Sequence, residues 1–357
     1  MGPEQEREGE IVAHAPCRAD LAGSTLDIWP LYLFHRGAVT LNFAVSVVAS
    51  CRIIGLKTTR IHLRSLDTER EESFASLREL WEAKEYRHAL AASLIRFFFP
   101  PGGEAQRPGF YLETNSESPA GAGIAGSSAL MIATTAALAR LAGRSLSNEE
   151  IRILAQNVEA QIIRVPTGCQ DYYPALYGGM SAVHLDASGI HREGIALDAE
   201  EIDSRFLLAY TGAPRQSGIN NWEVFKAHLN GDKRVFRNFE QISQIAQGMH
   251  RAISGSKPDW EKVGRLLREE WKLRKSNVPT ISTPLIDTLI AAAAKNGGMG
   301  AKVCGAGGGG CVVFLVEKGA KQRVSDAISR NRGHVLSCRM AAEGLVMKTV
   351  RPAAAGA

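Results

Sequence analysis

The segment that most constrains this chain is a glycine-rich stretch at residues 118–131, SPAGAGIAGSSALM. It runs directly into IATTAALARLAG, in which alanine, leucine and isoleucine recur at helical spacing. The sequence therefore predicts a loop of small residues that leads into a helix. Because Gly121, Gly123 and Gly126 lack a Cβ atom, the loop can adopt positive φ values and bring several backbone N–H groups close to an anion.

The same stretch predicts a phosphate site. Free amides at the start of a helix, together with a dipole worth roughly half a positive charge, attract an anion. Ser127 and Ser128 stand at the predicted helix start, where one hydroxyl can cap the helix and the other can contact a metal ion or phosphate. The spacing is not that of a P-loop, and no downstream ribose acid supports dinucleotide binding. A glycine-rich connector before a serine-capped helix is the alternative.

Composition sets the broad class of the protein. With 357 residues, 45% of them hydrophobic, the chain can bury a large core and is long enough for two domains. The net charge of +5 suits an anionic small molecule but is too diffuse to predict a nucleic-acid or membrane partner. No signal peptide and no apolar run of the ~20 residues that a membrane span needs is evident.

Cysteine and histidine usage adds a prediction about location. The six cysteines form no CxxC pair, and the nine histidines show no metal-ligand spacing. We therefore expect a cytoplasmic protein with reduced thiols and without a zinc site held by the protein. Nothing in the charge pattern or periodicity predicts an oligomeric state.

Hydrophobic patterning divides the chain into two α+β halves. Apolar β-branched residues predict strands at 11–15 and 38–54, and Ser147 with Glu150 predicts a capping box at the start of a helix that ends near residue 163. The composition becomes more polar at 186–203, which predicts domains at 10–195 and 200–350. A second glycine run, 305–310, precedes a buried strand, a pattern that indicates close backbone approach.

Four charged residues stand in unusual places. Arg18 and Asp27 lie among small apolar residues, Asp171 lies among aromatic ones, and Glu159 is on the helix that follows the loop helix. A charge in such surroundings is costly unless it is paired or functional. A structural ion pair for Arg18, an Asx turn for Asp27 and a solvated helix position for Glu159 are the alternatives.

Three segments together resemble the motifs of the GHMP kinases, the family of galactokinase, homoserine kinase, mevalonate kinase and phosphomevalonate kinase. They are APCRADLAGSTLD, SPAGAGIAGSSAL and KVCGAGGGGCVVFL, in the family's order. GCQDYYPALYGG, YTGAPRQSG and WKLRKSNVPTIST are similar to D-glycero-D-manno-heptose 7-phosphate kinases. The resemblance implies an N-terminal domain like the second domain of ribosomal protein S5 and a ferredoxin-like C-terminal domain.

The resemblance also implies ATP and Mg²⁺ as cofactors. Ser128 and Glu159 would bind the magnesium ion, for which oxygen ligands are suited. The second motif would wrap the ATP phosphates with Pro119, Gly121, Ala122, Gly123, Ile124, Ala125, Gly126, Ser127 and Ser128.

The implied catalytic residues are Asp171 and Arg18. Asp171 matches the aspartate that acts as general base or orients the attacking hydroxyl. Arg18 would keep Asp171 ionised and offset charge on the transferred phosphoryl group. Asp27 and Gly305 would contact the substrate, and a substrate phosphate would find candidate partners in Arg215, Lys272, Arg274 and Lys275.

The implied activity is phosphorylation of a hydroxyl on a sugar or sugar phosphate, with an acceptor like heptose 7-phosphate favoured. Galactokinases carry an acidic residue and a histidine after the first-motif glycine, and Gly23 is followed here by Ser24-Thr25-Leu26-Asp27. That difference argues against galactose, and more weakly against mevalonate. Heptose kinases favour glycines at these positions, so the identity of the acceptor sugar is not determined. A kinase for mevalonate or another non-sugar alcohol, and a non-catalytic ligand-binding protein, are the alternatives.

Overall fold

The computed structural model describes residues 7–102, 108–213, 219–255 and 257–350. Seven strands belong to its first half: β1 (Arg7–Ala22), β2 (Ala38–Leu56), β3 (Ile61–Ser65), β4 (Arg70–Phe74), β5 (Phe110–Ser116), β6 (Met180–Asp186) and β7 (Gly189–Ile195). The helices of this half are α1 (Leu77–Glu82), α2 (Ala89–Phe98), α3 (Gly126–Leu141), α4 (Asn148–Ile163) and α5 (Tyr172–Tyr177), with a short 3-10 helix at Leu31–Phe34.

The first sheet is built around β1 and β2. Its strand order is β12-β1-β2-β5-β3-β4, and β6 pairs with a different stretch of β2 and carries β7 at its edge. The nearly continuous apolar run in β2 explains this arrangement, because both of its faces can be buried along most of its length. Helix α3 packs on β1 and β2 and is covered by α2, α4 and α5, which accounts for its lack of a polar face.

The second half contributes a smaller sheet. Its elements are α6 (Ala199–Arg205), β8 (Phe206–Tyr210), α7 (Ile219–Leu229), α8 (Lys233–Ile253), α9 (Trp260–Asn277), α10 (Pro284–Ala294), β9 (Gly298–Val303), β10 (Cys311–Val316), α11 (Lys321–Arg330), β11 (His334–Val335) and β12 (Val346–Val350). The antiparallel order β11-β8-β10-β9 is that of a ferredoxin-like sheet. The α+β fold class with two such halves is confirmed.

The last strand does not stay with the second half. β12 pairs antiparallel with β1, with Ile11 opposite Thr349. We expected residues 200–350 to form the second domain, and this strand instead completes an edge of the first sheet. The division of the rest of the chain at about residues 195–200 stays a prediction.

Close backbone contact fixes α9 against β9. A Cβ atom on Gly300 would lie 2.5 Å from the carbonyl oxygen of Gly264, so the helix and strand can touch only because both residues are glycine. Further along α9, Glu270 contacts the first motif, where its Oε2 accepts from the Gly23 amide at 2.9 Å. Among the described helices, none has the length and apolar character needed to cross a membrane.

Candidate active site

The glycine-rich loop forms a backbone cradle at the start of α3. Gly121, Gly123 and Ala125 have φ values of 67°, 76° and 62°, and the Ala122 amide donates to the Pro119 carbonyl at 2.9 Å. Gly126 has no positive φ. It is needed because a Cβ atom there would lie 2.8 Å from the Cβ of Ser118. The predicted loop is therefore present, with alanine rather than the third glycine in the left-handed conformation.

Two details of the loop differ from the sequence prediction. Helix α3 is capped by Ala125 without a side-chain hydrogen bond, so neither serine closes the helix. The side chain of Ile124 is fully buried and its carbonyl accepts from the Arg18 amide at 2.9 Å, so this residue faces the core. The other predicted phosphate-loop residues line the cleft.

Both serines point instead at Glu159 on α4. Ser127 Oγ donates to Oε1 of Glu159 at 2.7 Å, and Ser128 Oγ donates to Oε2 at 3.2 Å. The hydroxyl of Tyr172 donates to the same Oε2 at 2.5 Å. Burial raises the pKa of the Glu159 carboxyl, and these hydroxyls partly oppose that rise. The capping box of Ser147 and Glu150 starts α4 as predicted.

The oxygen atoms around Glu159 fit a magnesium ion. A buried carboxylate that accepts from three hydroxyls and lies at the N-terminus of α3 supplies hard oxygen ligands beside the phosphate cradle. The residues that could hold the ion are Ser127, Ser128 and Glu159, which adds Ser127 to the predicted pair.

Arg18 connects Asp171 to the phosphate loop. Its Nη2 lies 2.6 Å from Oδ1 of Asp171, and its Nη1 donates to the Gly123 carbonyl at 2.7 Å. The Arg18 side chain is 2% exposed and that of Asp171 is 26% exposed. The arginine is therefore buried behind the carboxylate, and the carboxylate faces the cleft. Burial opposes the arginine's charge, but the charges of Asp171 and Asp20 and the hydrogen bond to Asp171 together outweigh it and raise the pKa of the guanidinium. The structure therefore brings Arg18 and Asp171 together, while their catalytic roles stay a prediction.

Asp27 lies deeper in the same cleft. Its Oδ2 accepts from the Gln170 amide at 2.9 Å. Burial raises the pKa of its carboxyl to about 7, and the negative charge of Asp171 adds to the rise. A Cβ on Gly168 would lie only 2.0 Å from Asp27 Oδ2, so glycine is required for this approach. The side chain can therefore both donate to and accept from a hydroxyl near neutral pH.

The third motif supports the loop through its backbone. The Cys311 amide donates to the Ala122 carbonyl at 2.6 Å, and a Cβ on Gly310 would lie 2.7 Å from the same oxygen. Gly305 lines the cleft, and its carbonyl accepts from Arg274, which also donates to the Val303 carbonyl at 2.9 Å. Arg274 is thus committed to the motif and is not available as the substrate-phosphate ligand considered from sequence.

A buried ionic cluster behind the cleft was not predicted. Lys302 Nζ lies 3.1 Å from Oδ1 of Asp20, and 2.7 Å from both Oε1 of Glu270 and Oγ of Ser24. The three charged side chains are fully buried, and Oε2 of Glu270 accepts from the Gly23 amide at 2.9 Å. Burial opposes ionisation of Asp20, but the charges of Lys302, Arg18 and Arg274 and the hydrogen bond from Ser24 together outweigh it and lower the pKa of this carboxyl. One signal was available: a lysine between apolar residues in a strand flanked by glycines.

The cleft has a volume of about 650 Å³ and is strongly acidic near the loop. Among the described residues that line it, Arg18 is the one cation, while six side chains are acidic: Asp20, Asp27, Asp67, Glu159, Asp171 and Glu223. Lys275 pairs with Asp287 at 3.3 Å, outside the cleft lining. Arg215, predicted to contact the substrate, lies outside the described residues.

Comparisons with known proteins agree with the fold and the motifs. The family model for the N terminal domain of the GHMP kinases matches residues 88–179, and the model for their C terminal domain matches residues 241–334. These two matches lie in the two halves described above, in the family's order.

Individual relatives match from about two thirds to nearly all of this chain. A D-glycero-alpha-D-manno-heptose 7-phosphate kinase from Campylobacter jejuni is 25% identical over 94% of this chain and 98% of its own. A mevalonate kinase from Pyrococcus horikoshii is 28% identical over 69% of this chain and 70% of its own. Among solved structures, a D-glycero-D-manno-heptose 1-phosphate kinase from Bacteroides thetaiotaomicron superposes with a TM-score of 0.73 and is 22% identical in sequence. The match covers 95% of this chain and 98% of that one. The chain belongs to the GHMP kinases, a family of ATP-dependent phosphotransferases.

Proposed function

We propose that this protein transfers the γ-phosphoryl group of ATP to a hydroxyl of a sugar or sugar phosphate, with an acceptor like heptose 7-phosphate favoured. The observation that carries the proposal is the link from Asp171 through Arg18 to the Gly123 carbonyl, which sets a carboxylate beside the phosphate cradle. Phosphoryl transfer needs positioning and charge neutralisation more than covalent chemistry, and this arrangement provides both.

Magnesium is part of the proposal. The backbone of residues 119–126 would bind the ATP phosphates, while Ser127, Ser128 and Glu159 would hold Mg²⁺, which when bound neutralises charge on the phosphates. Because the Glu159 carboxylate is already ordered by hydroxyls, it requires no large rearrangement to reach this role.

Asp171 would orient the attacking hydroxyl and accept its proton. Arg18 keeps the carboxylate in place and offsets the charge that develops on the transferred group, because its guanidinium is buried and already ion-paired. Asp27, with a pKa of about 7, would bind another hydroxyl of the acceptor as donor or acceptor.

The kind of acceptor is supported by the relatives and by the polarity of the cleft. The Campylobacter jejuni relative is named as a heptose 7-phosphate kinase. A cleft rich in carboxylates suits a polyhydroxylated ligand, since carboxylates accept hydrogen bonds from hydroxyls. A phosphate on the acceptor needs a cation, and Arg215 is our candidate for it. We also propose a cytoplasmic location, in keeping with the free cysteines among the described residues.

The test is ADP release with ATP and Mg²⁺ against heptose 7-phosphate, heptose, mannose, fucose, galactose and mevalonate. We expect turnover on a sugar or sugar phosphate, and a fall in kcat of about 10²–10⁴-fold for Asp171→Asn. Asp326→Asn, on the exposed face of α11, is the matched control. An unchanged kcat in Asp171→Asn would refute the catalytic role.

A second pair of variants tests the acceptor phosphate. Arg215→Ala should raise KM for the phosphorylated acceptor and leave KM for the unphosphorylated sugar unchanged, whereas the exposed Lys272→Ala should change neither. Turnover of mevalonate alone would replace the sugar proposal. ATP binding by calorimetry without turnover on any acceptor of the panel would favour the non-catalytic alternative.

A further inference from the structure

A cluster of metal-binding side chains lies away from the cleft, where the first sheet meets α8. It consists of His184 on β6, Glu193 on β7 and His250 on α8. His184 pairs across the strands with His191, so Glu193, two residues further along β7, projects from the same face. None of the three lines the active-site cleft.

The ligand atoms already converge. Oε2 of Glu193 lies 2.9 Å from Nε2 of His184 and 3.1 Å from Nε2 of His250, and all three atoms lie within 4.8 Å of one another. A tetrahedral ion with bonds of about 2.0–2.2 Å needs its ligand atoms roughly 3.3–3.5 Å apart. Small side-chain rotations would bring these atoms to that spacing.

The protein satisfies the two imidazoles unequally: Nε2 of His184 is hydrogen-bonded to Oε2 of Glu193. The Nε2 atom of His250 is buried, and within the described part of the chain it has no hydrogen-bond partner of acceptable geometry, although it faces the Glu193 carboxylate. Both imidazoles approach one carboxylate oxygen, so each must carry a proton on Nε2 for both contacts to be favourable. A bound cation would replace both protons and join the three groups.

We propose that His184, Glu193 and His250 bind a divalent transition-metal ion, zinc above all. Two imidazoles and one carboxylate are a common zinc ligand set, whereas Mg²⁺ prefers oxygen ligands alone. A water molecule would supply the fourth ligand, because His191, 3.2 Å from Ser188 Oγ, is not among the converging side chains. The site is distinct from the magnesium site of the proposed kinase reaction.

The ion would connect the two halves of the molecule. His184 and Glu193 belong to the first sheet, while α8 belongs to the second half and already contacts the first through Gln247, which donates to the Arg36 carbonyl at 3.1 Å. A metal bond there would strengthen that attachment. The site could not be predicted from the sequence, for which we expected no zinc site, because the ligands lie on three elements and show no regular spacing.

The experiment uses the untagged full-length protein, freed of metal with chelator. We expect one Zn²⁺ per chain by calorimetry, a visible absorption band of tetrahedral Co²⁺, and a higher Tm with Zn²⁺. His250→Gln and Glu193→Gln should each weaken Zn²⁺ binding by at least ~10–100-fold, while His14→Gln, an exposed histidine on β1, should not.

Two results would overturn the proposal: no Zn²⁺ binding by the wild-type protein, or binding of equal affinity in the wild type and both variants. Because the Glu193 and His250 side chains are both partly exposed, the variants should fold, and circular dichroism checks this. Magnesium-dependent ADP release is measured separately, so failure of the zinc site and failure of the kinase activity are distinguishable.

Discussion

Replacing Lys302 by methionine tests the buried ionic cluster. The change keeps the length of the side chain but removes the ammonium group that lies 3.1 Å from Asp20 and 2.7 Å from Glu270. Both carboxylates are fully buried, so neither can turn to water. Loss of one partner in such a cluster typically costs about 3–5 kcal/mol of unfolding free energy, because the remaining charges are uncompensated.

The variant should also acquire a new pH dependence. In the wild type burial raises the pKa of Asp20, and the charges of Lys302, Arg18 and Arg274 together outweigh it and lower the pKa. Lys302 is the largest of these opposing charges, so without it the pKa of Asp20 should be higher than in the wild type. A higher folded pKa lets protonation at low pH favour the folded state, so the stability difference between Lys302→Met and the wild type should narrow as the pH is lowered.

Urea denaturation at pH 7.5 measures the effect. Lys302→Met should lower the unfolding free energy by about 3–5 kcal/mol, and Lys302→Met with Glu270→Gln should recover part of that loss because one buried charge is removed. Lys318→Met, which removes an exposed ion pair of 3.8 Å with Glu201, is the control and should leave stability nearly unchanged.

Activity provides a second measurement on the same variants. Glu270 accepts a hydrogen bond from the Gly23 amide, and Asp27, the proposed acceptor-binding residue, lies four residues further along the chain. Disorder in the cluster should therefore displace Asp27 and raise KM for the acceptor more than KM for ATP. The reasoning is refuted if Lys302→Met costs less than ~1 kcal/mol, or if Glu270→Gln lowers the stability of the lysine variant further.

Two more substitutions test the acceptor side. Gly168→Ala should displace the Asp27 carboxylate, because the new Cβ would lie 2.0 Å from its Oδ2. Steady-state kinetics should show a higher KM for the acceptor and an unchanged KM for ATP. An acceptor KM equal to that of the wild type would contradict this. Burial raises the Asp27 pKa to about 7, so its stabilising contribution is full below about pH 4 and is lost as pH rises toward 7. Asp27→Asn should therefore gain about 2–3 kcal/mol relative to wild type between pH 5 and pH 8 in urea denaturation, and a constant difference would contradict this.

Local patterns in the sequence predicted much of the site. The loop at 118–126 follows from its glycines, and the Ser147 capping box defines the start of α4 and hence the place of Glu159. These features depend on neighbours within a few residues, so periodicity and capping rules suffice. Arg18 and Asp171 are 153 residues apart, and the family resemblance supplied their pairing.

Other features depend on contacts that no local pattern encodes. The two serines lie in the first turn of α3, because Ala125 occupies the capping position, and both hydroxyls donate to Glu159 through a contact that the local sequence does not encode. The return of β12 to β1 is likewise decided by which sheet edge is free. Lys302 and Asp20 are 282 residues apart in the sequence, so no local pattern predicts their contact. The one indication was a lysine within an otherwise apolar strand, which suggests that it has a partner.

A single strand links the two ionic groups of the site. Arg18 and Asp20 are two residues apart on β1, so both project from the face that lines the cleft, while Cys17, Ala19 and Leu21 enter the core. Arg18 fixes Asp171, and Asp20 binds Lys302 of the second half. A shift of the second half relative to the first must therefore act on the strand that positions the catalytic pair. The structure thus couples the placement of the two halves to the chemistry through β1, and it explains why charges that do not touch the acceptor should change its KM.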